Sequence, residues 1–172
     1  MSEPVLQVDP ALPREERYAA LLKIAPSVLH DSPDWTACMA TSVTLLATHL
    51  PEFFWIGFYR VIEPSLLAIG PYRGTLGCLT IPFSKGVCGK AAREGRTVLV
   101  PDVTKFEDHI ACDDASKSEI VVPLFDREGH LVGVLDVDSK RVEDFEDDDR
   151  EALEKFAGIM REALHRELSD DE

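Results

Sequence analysis

SEIVVPLFDREGHLVGVLDVDS, Ser118–Ser139, is the stretch whose reading decides the fold. Ser118–Asp126 and His130–Ser139 are short, rich in β-branched and apolar residues, and separated by a polar turn at Arg127–Gly129. That combination reads as a β-hairpin. Upstream, FFWIGFYRVI (Phe53–Ile62) has the same aromatic and branched texture and reads as another strand. SLLAIGPYRG reads as a second strand with a turn at Gly70–Pro71, and LGCLTIPF as a third, opened near Cys78. TVLV (Thr97–Val100) is a short one.

Helices flank this strand-rich middle. PREERYAALLKIAPSVLH offers Tyr18, Leu21, Leu22 and Ile24 as an apolar side, with Pro26 expected to kink or end the helix. Asp34 suits the N-cap of a second helix that runs to about Leu50 and stops at Pro51. SKGVCGKAAREG reads as a short helix opened by Gly86 and closed by Gly95. A last helix begins near Phe145, with Leu153, Phe156, Ala157, Met160 and Leu164 at helical spacing. The polar run PDVTKFEDHIACDDASKS has no clean period and reads as a long functional loop. The expected class is α+β: one domain over residues 13–168, a central antiparallel sheet with helices packed against it. Residues 1–12 read as a flexible leader and 169–172 as an acidic tail.

Length and composition agree. The 172 residues are 45 % apolar and 29 % charged, which excludes a wholly disordered chain. A chain of this size buries about two-thirds of its unfolded surface and needs no disulfide or metal to fold. The formal charge is −14. That argues against general binding to nucleic acid or anionic membrane. From Glu143 to Glu172 there are 13 acidic and 4 basic residues, so a solvated C-terminal segment carries most of the charge. No basic, apolar leader and no run of about 20 apolar residues is present, so a cytoplasmic location is expected. Cysteines there serve as free thiols, catalytic thiols or metal ligands more often than as structural disulfides.

Four cysteines are present. Cys38 lies among Ala37, Met39 and Ala40 and reads as a small buried hydrophobe. Cys78, Cys88 and Cys112 fall near the ends of predicted elements or in the long loop, where a reactive thiol finds access. His109 and Cys112 form an H-x-x-C spacing, but no C-x-x-C pair accompanies it, and no bound metal is expected. Glu119 sits in the otherwise apolar first strand of the hairpin, and Asp136 and Asp138 in the second. Residues two apart on a strand share a face, so Asp136 and Asp138 point together. Such acids either cap turns or form a cation pocket. Trp55 and Tyr59, four apart, also share a face and serve either as core or as the wall of a small-molecule pocket. No P-loop, G-x-G-x-x-G, G-x-S-x-G or H-E-x-x-H motif occurs.

The run IPFSKGVCGKAAREGRTVLVPDV followed by HIACDDASKSEIVVPLFDREGHLVGVLDVDS resembles a GAF domain. The V-P-L strand, turn and G-V-L strand are general to such domains. The trio of Cys78 before I-P-F, Cys88 in G-V-C-G and Cys112 in H-I-A-C-D is narrower and resembles the free methionine-(R)-sulfoxide reductases. The resemblance implies a GAF-like fold and reduction of free L-methionine (R)-S-oxide. It implies Cys112 as the attacking thiol, Cys78 as the resolving one and Cys88 as an alternative or relay. It also implies recycling by an external thioredoxin-type dithiol, with no bound cofactor. Glu119, Asp136 and Asp138 would then hold the substrate ammonium and polarise the sulfoxide, and Trp55 and Tyr59 would pack on its side chain. The substrate carboxylate would meet backbone N–H groups of the Cys112 loop. A homodimer through the helical face is the expected assembly. The alternative reading is a non-catalytic GAF module that senses a small molecule, and a third is a thiol redox sensor without an organic substrate.

Overall fold

The computed structural model describes residues 6–108 and 114–164. Six strands form one antiparallel sheet in the order β3-β2-β1-β6-β5-β4. They are β1 (Trp55–Glu63), β2 (Leu66–Arg73), β3 (Thr80–Pro82), β4 (Val98–Val100), β5 (Ser118–Phe125) and β6 (Leu131–Ser139). The helices are α1 (Arg14–Leu29), α2 (Trp35–His49), α3 (Gly86–Glu94) and α4 (Asp147–Ala163). The predicted hairpin is β5–β6, the best-paired part of the sheet together with β1.

Strand alternation divides the interior in two. Ile56 and Phe58 of β1, Ile120, Val122 and Leu124 of β5, and Leu135 and Val137 of β6 face one side, where α1, α2 and α4 cover them. The intervening residues face the other side: Trp55 and Tyr59, Val121, and Val134. Among the described residues, that face is covered by α3 and the flanking loops. Three helices thus seal one face, and the thinner cover on the other leaves room for a site.

Local chemistry explains most element ends. Asp34 caps α2 as expected, its carboxylate accepting from Ala37 N at 2.8 Å. Gly95 closes α3 with φ +63°, a conformation that suits glycine. Glu146 and Asp149 form a capping box at the start of α4. Phe145 therefore precedes the helix, and its ring stacks on Phe53 at 4.8 Å.

Three expectations need correction. Pro26 does not end α1, which continues to Leu29. Pro26 is on the exposed side of the helix, where water can bond the carbonyl it leaves free, while Leu21, Ala25 and Leu29 are fully buried opposite. Gly70–Pro71 is not a turn: β2 runs through it. The register steps from Gly57↔Tyr72 to Tyr59↔Ile69, so Gly70 and Pro71 together oppose Phe58 as a β-bulge, where a missing N–H is tolerated. The third strand is only Thr80–Pro82, so Cys78 precedes it in a loop rather than opening it. Trp55 Nε1 donates to Thr75 O at 2.9 Å and draws that loop over the sheet.

Leu6, in the predicted leader, packs against the helix-side core. Residues 169–172 and Cys112 lie outside the described residues.

Candidate active site

The register of the central strands assembles the site. Trp55 pairs with Asp138 across β1–β6, and Asp138 pairs with Glu119 across β6–β5. One residue-row further, Gly57 pairs with Asp136, and Asp136 with Val121. All these residues point to the face away from α1, α2 and α4. Opposite pairs in an antiparallel ladder bring their side chains close, so the three predicted carboxylates converge. The N-terminal turn of α3 adds Gly86, Val87 and Cys88 above them.

The result is a cavity of about 50 Å³ lined by Trp55, Tyr59, Cys88, Glu119, Asp136 and Asp138 together with Phe54, Leu76, Gly77, Ile81 and Ser116. Six of the eight residues predicted for the site meet there. Cys78 lies next to Gly77 in the loop at its rim, and Cys112 falls outside the described residues.

Trp55 forms the aromatic wall, stacking on Tyr59 at 6.0 Å and on Tyr72 at 5.3 Å. It lies across Gly57, where an added Cβ would come within 2.3 Å of Tyr72 Cβ and 2.7 Å of the indole. Glycine at 57 is what lets the ring lie flat on the strand.

The charged groups of the lining are Glu119, Asp136 and Asp138; none of its described residues is basic. Glu119, Asp136 and Asp138 are each more than nine-tenths buried. Cys88 Sγ donates to Asp136 Oδ2 at 3.3 Å, while Asp136 Oδ1 has no hydrogen-bond partner. Ser116 Oγ donates to Asp138 Oδ1 at 2.5 Å. Burial, with Asp136 and Asp138 adding to it, pushes the Glu119 carboxyl well above the usual range. Burial also lifts Asp136, to about 6, with hydrogen bonds from Glu119 and Cys88 holding it below its neighbour. Of the two, Glu119 therefore keeps its proton to higher pH than Asp136. Burial and the same acids push the Cys88 thiol well above its ordinary value. Tyr59 is raised too, by burial first and then Asp136. The cavity can donate a proton from Glu119, accept a cation at Asp136 and hold an apolar group against Trp55.

Cys78 is disulfide-bonded, and Cys38 and Cys88 are free buried thiols. Cys38 packs in the helix-side core as predicted. Ser116 is a site residue that the sequence does not reveal. A lone serine in an aperiodic loop carries no signal until the fold aims it at Asp138.

The fold and the site define a class. The family model for the GAF domain matches residues 36–165, and the chain belongs to the GAF domain family and, within it, to the free methionine-R-sulfoxide reductases. The free methionine-R-sulfoxide reductase of Saccharomyces cerevisiae is 45 % identical over 159 residues, 88 % of each chain. Protein YtsP of Bacillus subtilis is 41 % identical over 152 residues, 88 % of this chain and 93 % of its own. The X-ray structure of free methionine-R-sulfoxide reductase from Neisseria meningitidis in complex with its substrate superposes with a TM-score of 0.86 at 40 % identity. That match covers 93 % of this chain and 95 % of that one.

Proposed function

We propose that the protein reduces free L-methionine (R)-S-oxide to L-methionine by thiol chemistry. The observation that carries this reading is the buried row Trp55–Asp138–Glu119 with Asp136 beside it, an aromatic wall facing three converging acids. The substrate ammonium pairs with Asp136 and Asp138, and the methyl and side chain pack on Trp55 and Tyr59. A peptide-bound residue has no ammonium there and would leave buried acids unpaired, so the free amino acid is selected.

Glu119 donates its proton to the sulfoxide oxygen, making sulfur electrophilic. The thiolate of Cys112 attacks that sulfur. Oxygen passes to Cys112 as a sulfenic acid, and methionine leaves. The Cys78 thiol then displaces water from the sulfenic acid, closing a disulfide. A thioredoxin-type dithiol reduces it and leaves as its own disulfide, so two electrons enter for each sulfoxide reduced. The disulfide at Cys78 and the free thiol at Cys88 support this division of roles. The cavity's acids, with Asp113 and Asp114 next in sequence, oppose thiolate formation at Cys112 in the free enzyme, and bound substrate favours the reactive state. The cytoplasm, where disulfides are kept reduced, suits this cycle; no helix among the described residues is long and apolar enough to cross a membrane. A homodimer through the α1–α4 face belongs to the same reading and would appear as twice the monomer mass in light scattering.

The test is stereospecific turnover. Purified protein with dithiothreitol is given free methionine R-sulfoxide, the S-epimer and a peptide-bound R-sulfoxide. Product from the free R-epimer alone is expected. No product from any, with the thiols shown to be reduced, leaves a ligand-sensing GAF module instead.

A further inference from the structure

Leu76 and Leu79, on either side of the disulfide-bonded Cys78, are 84 % and 78 % exposed. They are the two most exposed large hydrophobic residues among those described. Exposed leucines scattered singly need no account, but two flanking a redox-active sulfur form a patch. The surrounding segment Gly74–Ser84 has no charged residue, in a chain where 29 % are charged. Thr80, exposed, continues the patch into the start of β3, an outermost strand of the sheet whose far end is closed where Pro82 O accepts from Lys85 N at 3.1 Å. Leu76 reaches the cavity rim, whereas Leu79 is absent from the cavity lining. Covering substrate therefore does not explain Leu79.

We infer that Leu76, Leu79 and Thr80 form the docking face for the protein dithiol that reduces the Cys78 disulfide. The inference rests on the recycling step proposed above and names the surface it uses. Thiol–disulfide exchange needs the attacking thiolate in line with the S–S bond, so a protein reductant must seat its own surface around Cys78. An uncharged apolar rim accepts a partner whose reactive thiol is itself ringed by apolar surface, and the acidic remainder of the molecule does not intrude. The partner thiolate attacks Cys78 Sγ, the S–S bond breaks, and the leaving sulfur of the enzyme takes up a proton. The partner's second thiol then attacks the mixed disulfide and frees Cys78, while the partner departs oxidised.

The experiment compares wild type, Leu79→Glu and Val142→Glu in two assays of free R-sulfoxide reduction. One is driven by dithiothreitol, the other by thioredoxin with its reductase and NADPH. Val142, 53 % exposed on the turn after β6, serves as an apolar surface control. Leu79→Glu is expected to lower kcat/KM for thioredoxin at least about five-fold, as truncation of interface anchors does, with dithiothreitol-driven turnover and the KM for sulfoxide unchanged. Val142→Glu changes neither. Equal thioredoxin kinetics in Leu79→Glu and wild type would overturn the docking face alone. A raised KM for sulfoxide under dithiothreitol would make Leu79 a substrate cover and overturn it as well. So would a wild-type dimer, in light scattering, that Leu79→Glu dissociates, since a second copy would then own the patch. Wild type that turns over with dithiothreitol and not with thioredoxin overturns the recycling reading and the face with it.

Discussion

Cys88 donates its thiol proton to Asp136 Oδ2 at 3.3 Å, inside the buried acidic cavity. The contact holds Cys88 protonated, because ionising it would set a thiolate beside a carboxylate in a buried site. Cys88 is therefore expected to resist alkylation at pH 7.5 in the folded, reduced enzyme. Mass spectrometry of iodoacetamide-treated protein should find Cys78 labelled well before Cys88. Cys88→Ser keeps a donor for Asp136 and should hold dithiothreitol-driven turnover within about three-fold, whereas Cys88→Ala removes one of the donors to that buried carboxylate at about 1–3 kcal/mol. Rapid labelling of Cys88 without unfolding would show that the acids do not suppress it.

Asp136, lifted from 3.8 to about 6, makes stability fall as pH rises. A raised acid binds its proton more tightly when folded. Between about pH 4 and about pH 6 the native state therefore holds more protons than the unfolded chain, and the stability lost across that window is about 3 kcal/mol. Asp136→Asn removes this penalty. The melting temperature of the variant relative to wild type should increase from pH 4.5 to pH 7.5 in substrate-free, reduced protein. Glu119→Gln should show the same sign, with its window reaching higher because Glu119 is raised further. A difference that does not vary with pH would mean the acids titrate normally.

Gly57 is a test of the aromatic wall. A methyl there would sit 2.3 Å from Tyr72 Cβ and 2.7 Å from the Trp55 ring, a clash relieved only when β2 gives way at Tyr72 and the indole moves off the strand. Gly57→Ala should destabilise by about 1–3 kcal/mol, as overpacking does, and raise KM for the sulfoxide more than it lowers kcat. Steady-state kinetics beside a urea melt would separate the two. An unchanged KM in a folded Gly57→Ala protein would remove Trp55 from substrate binding.

β5 and β6 are legible in the sequence as apolar, β-branched runs, and the two-residue spacing of Asp136 and Asp138 in β6 shows which face the acids share. What strand neighbours what is a different matter. That Trp55 lies opposite Asp138 depends on β1 inserting beside β6, a pairing across some eighty residues that no local pattern encodes. Gly70–Pro71 reads as a turn because bulges and turns recruit the same residue types, and only the partner strand tells them apart. Pro26 reads as a helix breaker because a proline's cost depends on which side of the helix its missing bond falls, and the burial of the opposite side is settled by packing. The roles given to Cys112 come from its motif, since a thiol's function depends on neighbours that spacing alone does not supply.

Asp149 shows how far the two faces of the sheet can be separated. It is 3 % exposed and accepts from Tyr18 Oη at 2.7 Å and from Glu146 N at 2.8 Å, with Arg14 Nη1 at 3.4 Å. One carboxylate thus caps α4 and ties it to α1, on the side of the sheet away from the cavity. Asp149→Ala orphans a buried tyrosine hydroxyl and the cap together and strips Arg14 of part of its counter-charge. The expected cost is about 3 kcal/mol, which for a chain of this size lowers the melting temperature by about 6–12 °C. Turnover at 25 °C should stay within about two-fold of wild type, because none of the cavity residues moves. Tyr18→Phe, which removes only one donor, should cost about 1 kcal/mol. A large loss of kcat/KM in Asp149→Ala at a temperature where it remains folded would show that the helix layer positions the active site rather than merely covering the sheet.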